Sequence, residues 1–428
     1  MPVKSSPKSK SSHAKTEAHK NGNGLPPVPD GFPQPDAHRM GLLPPYILNK
    51  INTLNETMRA QGVDVIDLGM GNPVEPIQDE VIAELKAQLD DPANHRYSKP
   101  RGIPPLKQAF ARHYERHFNV TLDPEKEVIM SIGSKDALSH LCLAILGPSD
   151  FCAVPMPAYM IHRYAPILSG AHTFGIMMTE ENPGPQLLKD IEKTFQTVTP
   201  KPKILILNFP HNPTGKTVEL PFFEAVVDLA RKYKFWVLND FAYGHTCFDG
   251  YKAPSILQVK GAKEVAGESF TMSKPYSMAG WRIGFLAGNP LLVDLLGRIK
   301  TYFDYGHFQA LQLAAVVALD KGDKYIKRQG LIYQGRRDAL LSGLETAGWG
   351  RTIKNRAAMF TWQPLPKKLI EKGSLDFAFK LAEQEGVSLT PGAGFGPEGE
   401  GYVRMALVDT EARMKEAARR IGNFIKKN

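Results

Sequence analysis

Cysteine is scarce. Cys142, Cys152 and Cys247 are the only three in 428 residues, too few and too scattered for a disulfide framework or a cysteine-based zinc site. Free thiols in a chain this long point to a reducing, cytoplasmic setting. Long apolar runs are also missing: no window approaches the roughly 18 uninterrupted apolar residues of a membrane helix, which excludes an integral membrane function. The N-terminus lacks the apolar core of a signal peptide, so export is not expected. Acidic residues are nearly absent from the opening stretch, where Lys4, Lys8, Lys10, Lys15 and Lys20 face only Glu17. That stretch is Ser/Lys/Gly-rich and then proline-rich through Pro35, a composition that cannot bury a core. Residues 1–38 are therefore expected to be a disordered basic tail. It reads as a solubilising extension, with a nucleic-acid or anionic-surface tether as the sharper alternative, and no nucleic-acid partner is expected. Lysine without arginine or amphipathic spacing argues against an organelle transit peptide.

What remains is ample for a folded protein, since the chain is 42% apolar and 23% charged. Short apolar or β-branched runs recur at Val128–Ile132, Cys152–Val154, Ile204–Leu207, Phe235–Leu238, Ser269–Met272 and Ile283–Ala287, with helical patterns such as Ser134–Leu146 and Leu220–Tyr233 between them. Apolar strands alternating with helices predict an α/β fold with a mostly parallel, doubly wound sheet covered on both faces. In such sheets chemistry sits beyond the carboxyl ends of the strands. From about Gln309 the pattern changes to long amphipathic helices with strand-like pieces at Met359–Trp362 and Tyr402–Leu407, a smaller α+β domain. The expected organisation is a tail at 1–38, an N-terminal arm and part of the small domain at 39–75, a large domain at 76–308 and a small C-terminal domain at 309–428.

The segment Thr271-Met272-Ser273-Lys274-Pro275-Tyr276-Ser277-Met278-Ala279-Gly280-Trp281-Arg282-Ile283-Gly284 is the most informative. A lysine desolvated at a strand end can attack an aldehyde as an amine, and Arg282 offers a planar fork suited to phosphate. Alone, the pair reads equally well as solvated charges beside a turn. Its company changes that reading. Asn208-Phe209-Pro210-His211-Asn212-Pro213 follows one strand, and Asp240-Phe241-Ala242-Tyr243 follows the next. Three consecutive strand ends thus carry groups that suit a phosphorylated pyridine aldehyde: lysine for the aldehyde, aspartate for the ring nitrogen, Asn212 and Tyr243 for a phenolic oxygen, arginine for the phosphate.

With these residues in place, the sequence resembles the class I/II aminotransferases of fold type I, which depend on pyridoxal 5′-phosphate. The run Ser-Lys-x-x-Ser-Met-x-Gly-x-Arg-Ile-Gly matches the family's cofactor-attachment signature, except that Thr271 stands where Gly or Ser is usual. Asn212 and Asp240 are 28 residues apart, Asp240 and Lys274 34, Lys274 and Arg282 eight, as in the family. The resemblance covers nearly all of 40–425 and implies a seven-stranded-type sheet in the large domain.

It also implies further roles. Asp67–Pro73 resembles the glycine turn whose backbone, at Gly71, meets the substrate carboxylate. Tyr97 resembles the tyrosine that reaches the phosphate in a partner subunit, which implies a homodimer. Ser131–Lys135 ends a strand and opens a helix, placing Ser134 and Lys135 at a backbone anion site. Tyr159 resembles the aromatic that stacks on the cofactor, and Arg404 the arginine that grips the α-carboxylate. Ser273 belongs to the attachment signature. Lys274 is implied as the residue that holds the cofactor and moves the α-proton in ping-pong exchange between an L-amino acid and a 2-oxo acid.

Within the family the resemblance is to the glutamate–pyruvate (alanine) and LL-diaminopimelate aminotransferase groups, carried by Arg96-Tyr97-Ser98, Arg101-Gly102-Ile103-Pro104, Ala279–Phe285 and Ile299–Gly306, with Tyr46 expected to line the site. Arg96, Arg101 and Arg163 are candidates for reading a distal carboxylate. The departure at Asp136-Ala137, where relatives often carry Glu-Gly, leaves the donor open. Alternatives are LL-diaminopimelate, aspartate or methionine transamination, a carbon–sulfur lyase on the same fold, and a non-catalytic nucleic-acid-binding protein with a basic tail. No metal is expected. His113 and His117 stand four apart around Glu115, an order that is not H-E-x-x-H and reads as a solvated helix face. The glycines of 391–401 make no dinucleotide fingerprint and read as a loop leading to Arg404.

Overall fold

The computed structural model describes residues 28–29, 31–179 and 183–428. Most of the expected basic tail, 1–27 and 30, lies outside the described residues. The chain divides into two units, Met1–Pro44 and Pro45–Asn428. Among the described residues of the first is one short 3-10 turn, His38–Leu42.

The second unit carries two sheets. The strands in chain order are β1 (Ile66–Leu68), β2 (Val128–Ser131), β3 (Phe151–Met156), β4 (His172–Met177), β5 (Ile204–Leu207), β6 (Trp236–Asp240), β7 (Ala266–Thr271), β8 (Gly284–Gly288), β9 (Phe360–Pro364), β10 (Val387–Pro391) and β11 (Tyr402–Ala406). Seven form one sheet in the order β2-β8-β7-β6-β5-β3-β4. Neighbours are parallel from β4 to β7, and β8 runs antiparallel to both β7 and β2. Central β5 is Ile-Leu-Ile-Leu and buried throughout, because helices cover both faces. In the edge strand β4 three of six residues are exposed and only Ile176 is buried, as fits a strand with a neighbour on one side.

The second sheet, β1-β10-β11-β9, has β1 parallel to β10 and the remaining pairs antiparallel. Its core is separate, built around Ile66, Leu68, Phe360, Leu389, Met405 and Ile421. The helices after residue 309 are shared between the two cores. The helix Gln309–Lys321 contributes Ala314, Ala315, Ala318 and Leu319 to the core of the large sheet, beside Phe110 and Tyr276. The handover occurs inside the following helix, Asp323–Thr346: Ile326 belongs to the first core, Tyr333, Leu340 and Leu344 to the second. Neither helix has a strongly one-sided apolar face, and periodicity does not say which sheet a helix covers.

Candidate active site

Strands β5, β6 and β7 lie side by side, so the segments leaving their carboxyl ends converge on one cleft of about 320 Å³. Gly71, Ser134, Lys135, Tyr159, Asn212, Asp240, Tyr243, Ser273, Lys274, Arg282 and Arg404 all line it, together with Tyr46. Of the residues expected to bind cofactor or the α-carboxylate, Tyr97 stands elsewhere: it is 91% exposed, its ring 5.7 Å from that of Tyr305.

Lys274 leaves the end of β7, and its Nζ donates to the Gly71 carbonyl at 2.7 Å. Burial lowers its pKa to about 8, with the positive charges of Arg404, Arg282 and Lys135 adding to the effect. Asp240, the last residue of β6, is buried; one oxygen meets His162 Nε2 at 2.9 Å and the other accepts from Ser269 Oγ at 3.0 Å. Asn208 Oδ1 accepts from the Asn212 backbone N–H at 2.8 Å and so shapes the turn after β5. Asn212 Nδ2 reaches the Tyr243 hydroxyl at 3.5 Å, and burial pushes that phenol upward from its ordinary value.

Arg404 on β11 crosses from the second sheet. Its guanidinium donates to Asn212 Oδ1 at 3.0 Å and to the Gly69 carbonyl at 2.9 Å, and stacks within 5.1 Å of the Phe360 and Phe395 ring centres. Register sets this up: Thr390 on β10 pairs with Arg404, and its hydroxyl donates to the same Gly69 carbonyl. Arg404 Nε is buried with no protein partner.

The anion end of the cleft is backbone-rich. Ser134 and Lys135 open the helix Ser134–Ile145, whose first N–H groups have no intrahelical partner and carry the positive end of its dipole. Arg282 folds back in the left-handed region (φ 57°) to donate to Ala279 and Ile132 carbonyls. Gly133, before that helix, takes φ 83°, a backbone conformation that strains any residue with a Cβ. Thr271, the departure from the signature, donates to Ser273 Oγ and accepts from the Ser273 N–H, so it braces the turn before Lys274.

Several neighbours were not legible beforehand. His162 and Ser269 hold Asp240 from 78 and 29 residues away in sequence. Asn49 and Asn52 line the cleft from the helix Ile47–Ala60. The three arginines considered for a distal carboxylate are not in the cleft. Arg163 pairs with Glu398 at 2.6 Å, Arg101 with Asp294 at 3.1 Å, and Arg96 lines a separate hollow with Tyr97 and Tyr305. The solvated-face reading of His113 is overturned too, since it is fully buried against His245 and Tyr276.

The donor set suits pyridoxal phosphate. It offers an amine with a lowered pKa, a helix N-terminus beside Arg282 for an anion, a buried carboxylate held on both oxygens, and an arginine nitrogen still without a partner. Comparisons with known proteins agree. The family model for aminotransferase class I and II matches residues 63–421. The glutamate-pyruvate aminotransferase AlaC of Escherichia coli is 43% identical over 392 residues, covering 92% of this chain and 94% of the relative. The LL-diaminopimelate aminotransferase of Gloeobacter violaceus is 40% identical, covering 90% and 97%. Among solved structures, a probable N-succinyldiaminopimelate aminotransferase from Thermus thermophilus superposes with a TM-score of 0.81 at 33% identity, covering 88% and 99%. With its seven-stranded sheet, its lysine-bearing cleft and a family match across most of its length, the chain belongs to the class I and II aminotransferases and is a pyridoxal-phosphate-dependent enzyme.

Proposed function

We propose that this aminotransferase exchanges amino groups between glutamate or alanine and the corresponding 2-oxo acids, pyruvate and 2-oxoglutarate, in a ping-pong cycle. The observation that carries the reading is Lys274: a half-buried amine with its pKa at about 8, in one cleft with a carboxylate, an anion cradle and a free arginine nitrogen. The choice of donors rests on the similarity to the glutamate-pyruvate relative.

Pyridoxal phosphate, when bound, supplies an aldehyde for amines and a ring that withdraws electrons from the substrate α-carbon. Ser134, Lys135, Ser273 and Arg282 would hold its phosphate. Asp240, kept in place by His162 and Ser269, would pair with the ring nitrogen and favour its protonated form. Asn212 and Tyr243 would bind the phenolic oxygen, and Tyr159 would pack on the ring. Arg404 and the backbone at Gly71 grip the substrate α-carboxylate. With that carboxylate anchored, Nζ of Lys274, neutral for much of the time near its pKa, takes the α-proton and returns it on the other side of the exchange.

We also infer a homodimer in which Tyr97 completes the partner's phosphate site. In support, Tyr97, Tyr302, Phe303 and Tyr305 are exposed aromatics on nearby segments, an unusual concentration for a surface left to water. A cytoplasmic location is supported by three unpaired cysteines. No helix among the described residues is long and apolar enough to cross a membrane.

The test is an absorbance spectrum of the purified enzyme during titration with glutamate, alanine, aspartate, methionine and LL-diaminopimelate. Glutamate and alanine should bleach the cofactor's visible band without any oxo acid present. Bleaching by LL-diaminopimelate alone would move the assignment to that substrate, and ammonia release would make the enzyme a lyase. Lys274→Ala should abolish turnover with an unchanged circular dichroism spectrum; turnover at the wild-type rate would overturn the assignment.

A further inference from the structure

Three histidines and an aspartate that the chemistry above does not use meet beside the loop that carries Asp240 and Tyr243. His113 and His117 stand one turn apart on the helix Pro104–Phe118, ring centres 4.4 Å apart. His245, five residues beyond Asp240, lies 4.9 Å from the first ring and 4.7 Å from the second. Its Nε2 faces His113 Nε2 at 2.8 Å. Asp323, which opens the helix Asp323–Thr346, meets His117 Nε2 at 2.9 Å. Ligand atoms of His113, His117 and Asp323 all lie within 4.8 Å of one another. Metal–ligand distances of about 2.0–2.2 Å put tetrahedral donors roughly 3.3 Å apart, so small side-chain movements close the set around an ion.

We propose that His113, His117 and Asp323 form a binding site for a divalent metal ion of the zinc class, separate from the cofactor cleft, with His245 meeting His113 beside it. Two imidazoles on one helix face at this spacing are a common half of a zinc site, and a carboxylate completes a borderline donor set. The side chains of His117 and Asp323 are 22% and 45% exposed and provide the route in. The opposing charge is Arg116. It bonds Asp323 Oδ2 through Nε and also reaches Oδ1, so the ion takes the Oδ1 that His117 already faces while Arg116 keeps Oδ2. A second grouping, Asp136, His140 and Asp304, is different: Lys300 Nζ already sits there at 3.0 and 2.6 Å from the two aspartates. An ion at this site joins the helices Pro104–Phe118 and Asp323–Thr346, His113 meets His245 of the loop after β6, and His113 Nδ1 lies 3.4 Å from the hydroxyl of Tyr276, two residues from Lys274.

The cofactor-loaded enzyme, stripped with chelator and dialysed free of it, is titrated with zinc chloride by calorimetry and with cobalt chloride by visible absorption. One ion per chain should bind with a Kd of about 10 µM or tighter and raise Tm by about 3 °C at saturation. His117→Gln and Asp323→Asn should each weaken binding by about tenfold or more, and His140→Gln should leave it unchanged. Two variants are used so that loss of folding in one leaves the other decisive. Binding weaker than about 100 µM, or equal binding by His117→Gln and wild type, overturns the proposal.

Discussion

Burial and three neighbouring positive charges bring the Lys274 amine down to about 8, and this sets a pH signature. Below that value the amine is protonated and cannot attack an aldehyde; above it the neutral form dominates. Uptake of pyridoxal phosphate by apoenzyme should therefore rise through pH 8 and level off. An ordinary lysine, near 10.4, would still be gaining at about pH 10. Stopped-flow absorbance across that range distinguishes the two. Arg404 gives the second prediction at this scale. Its fork already bonds Asn212 and Gly69, and an ammonium at that position cannot span the same acceptors. Arg404→Lys should lower kcat/KM for glutamate by about 100-fold, equivalent to ~2.7 kcal/mol. Unchanged kinetics would remove it from the carboxylate site. Lys274 and Asp240 were legible because each follows a strand within a short motif, whereas His162, which holds Asp240, was not. Its position, 78 residues upstream, carries no local signal.

At the scale of elements, β7 holds a buried acid that matters to the fold rather than to the chemistry. Glu268 accepts from Tyr114, Ser255, Asn239 and the Ile256 N–H, yet burial still raises its pKa to about 7. The folded state thus holds more protons than the unfolded chain between about pH 4.5 and pH 7. Its contribution to stability is full below that window and is lost as pH rises through it. Glu268→Gln, which keeps an acceptor for Asn239 and Ile256, should flatten the pH dependence of Tm across the window in scanning calorimetry. An unaltered slope would refute this. The same residue explains a shortened reading of β7: the expected strand started at Ser269, whereas it begins at Ala266 because a fully buried glutamate interrupts the apolar run. The helix Leu220–Tyr233, by contrast, has the expected bounds, with Pro221 in its first turn and Lys234 in the left-handed conformation at its end.

At the scale of the molecule, the proposed homodimer makes a prediction that a monomeric site cannot meet. If Tyr97 serves the partner's phosphate, Lys274→Ala and Tyr97→Ala chains are each impaired, but a hybrid dimer contains one site with both residues native. Refolding the two variants together should restore activity well above either alone, in an assay normalised to total chain. No gain on mixing would place Tyr97 outside the neighbouring site. The two-core layout also belongs to this scale. Leu311, Ala314, Ala315, Ala318, Leu319 and Ile326 pack with the core of the large sheet, whereas Tyr333, Leu340 and Leu344 of the next helix pack with the other.

The sequence by itself determined the alternation of buried strands and amphipathic helices, the polar residues at three successive strand ends and the motif around Lys274. These depend on periodicity and short-range turns, which neighbouring residues dictate. Only the tertiary structure decided which residues stand behind them: His162 and Ser269 on Asp240, Gly69 under Arg404, Asn49 and Asn52 across the cleft, and His113 buried against His245 instead of facing solvent. Each of those contacts joins segments remote in sequence, and its geometry follows from sheet order, strand register and the side of the sheet on which a helix packs.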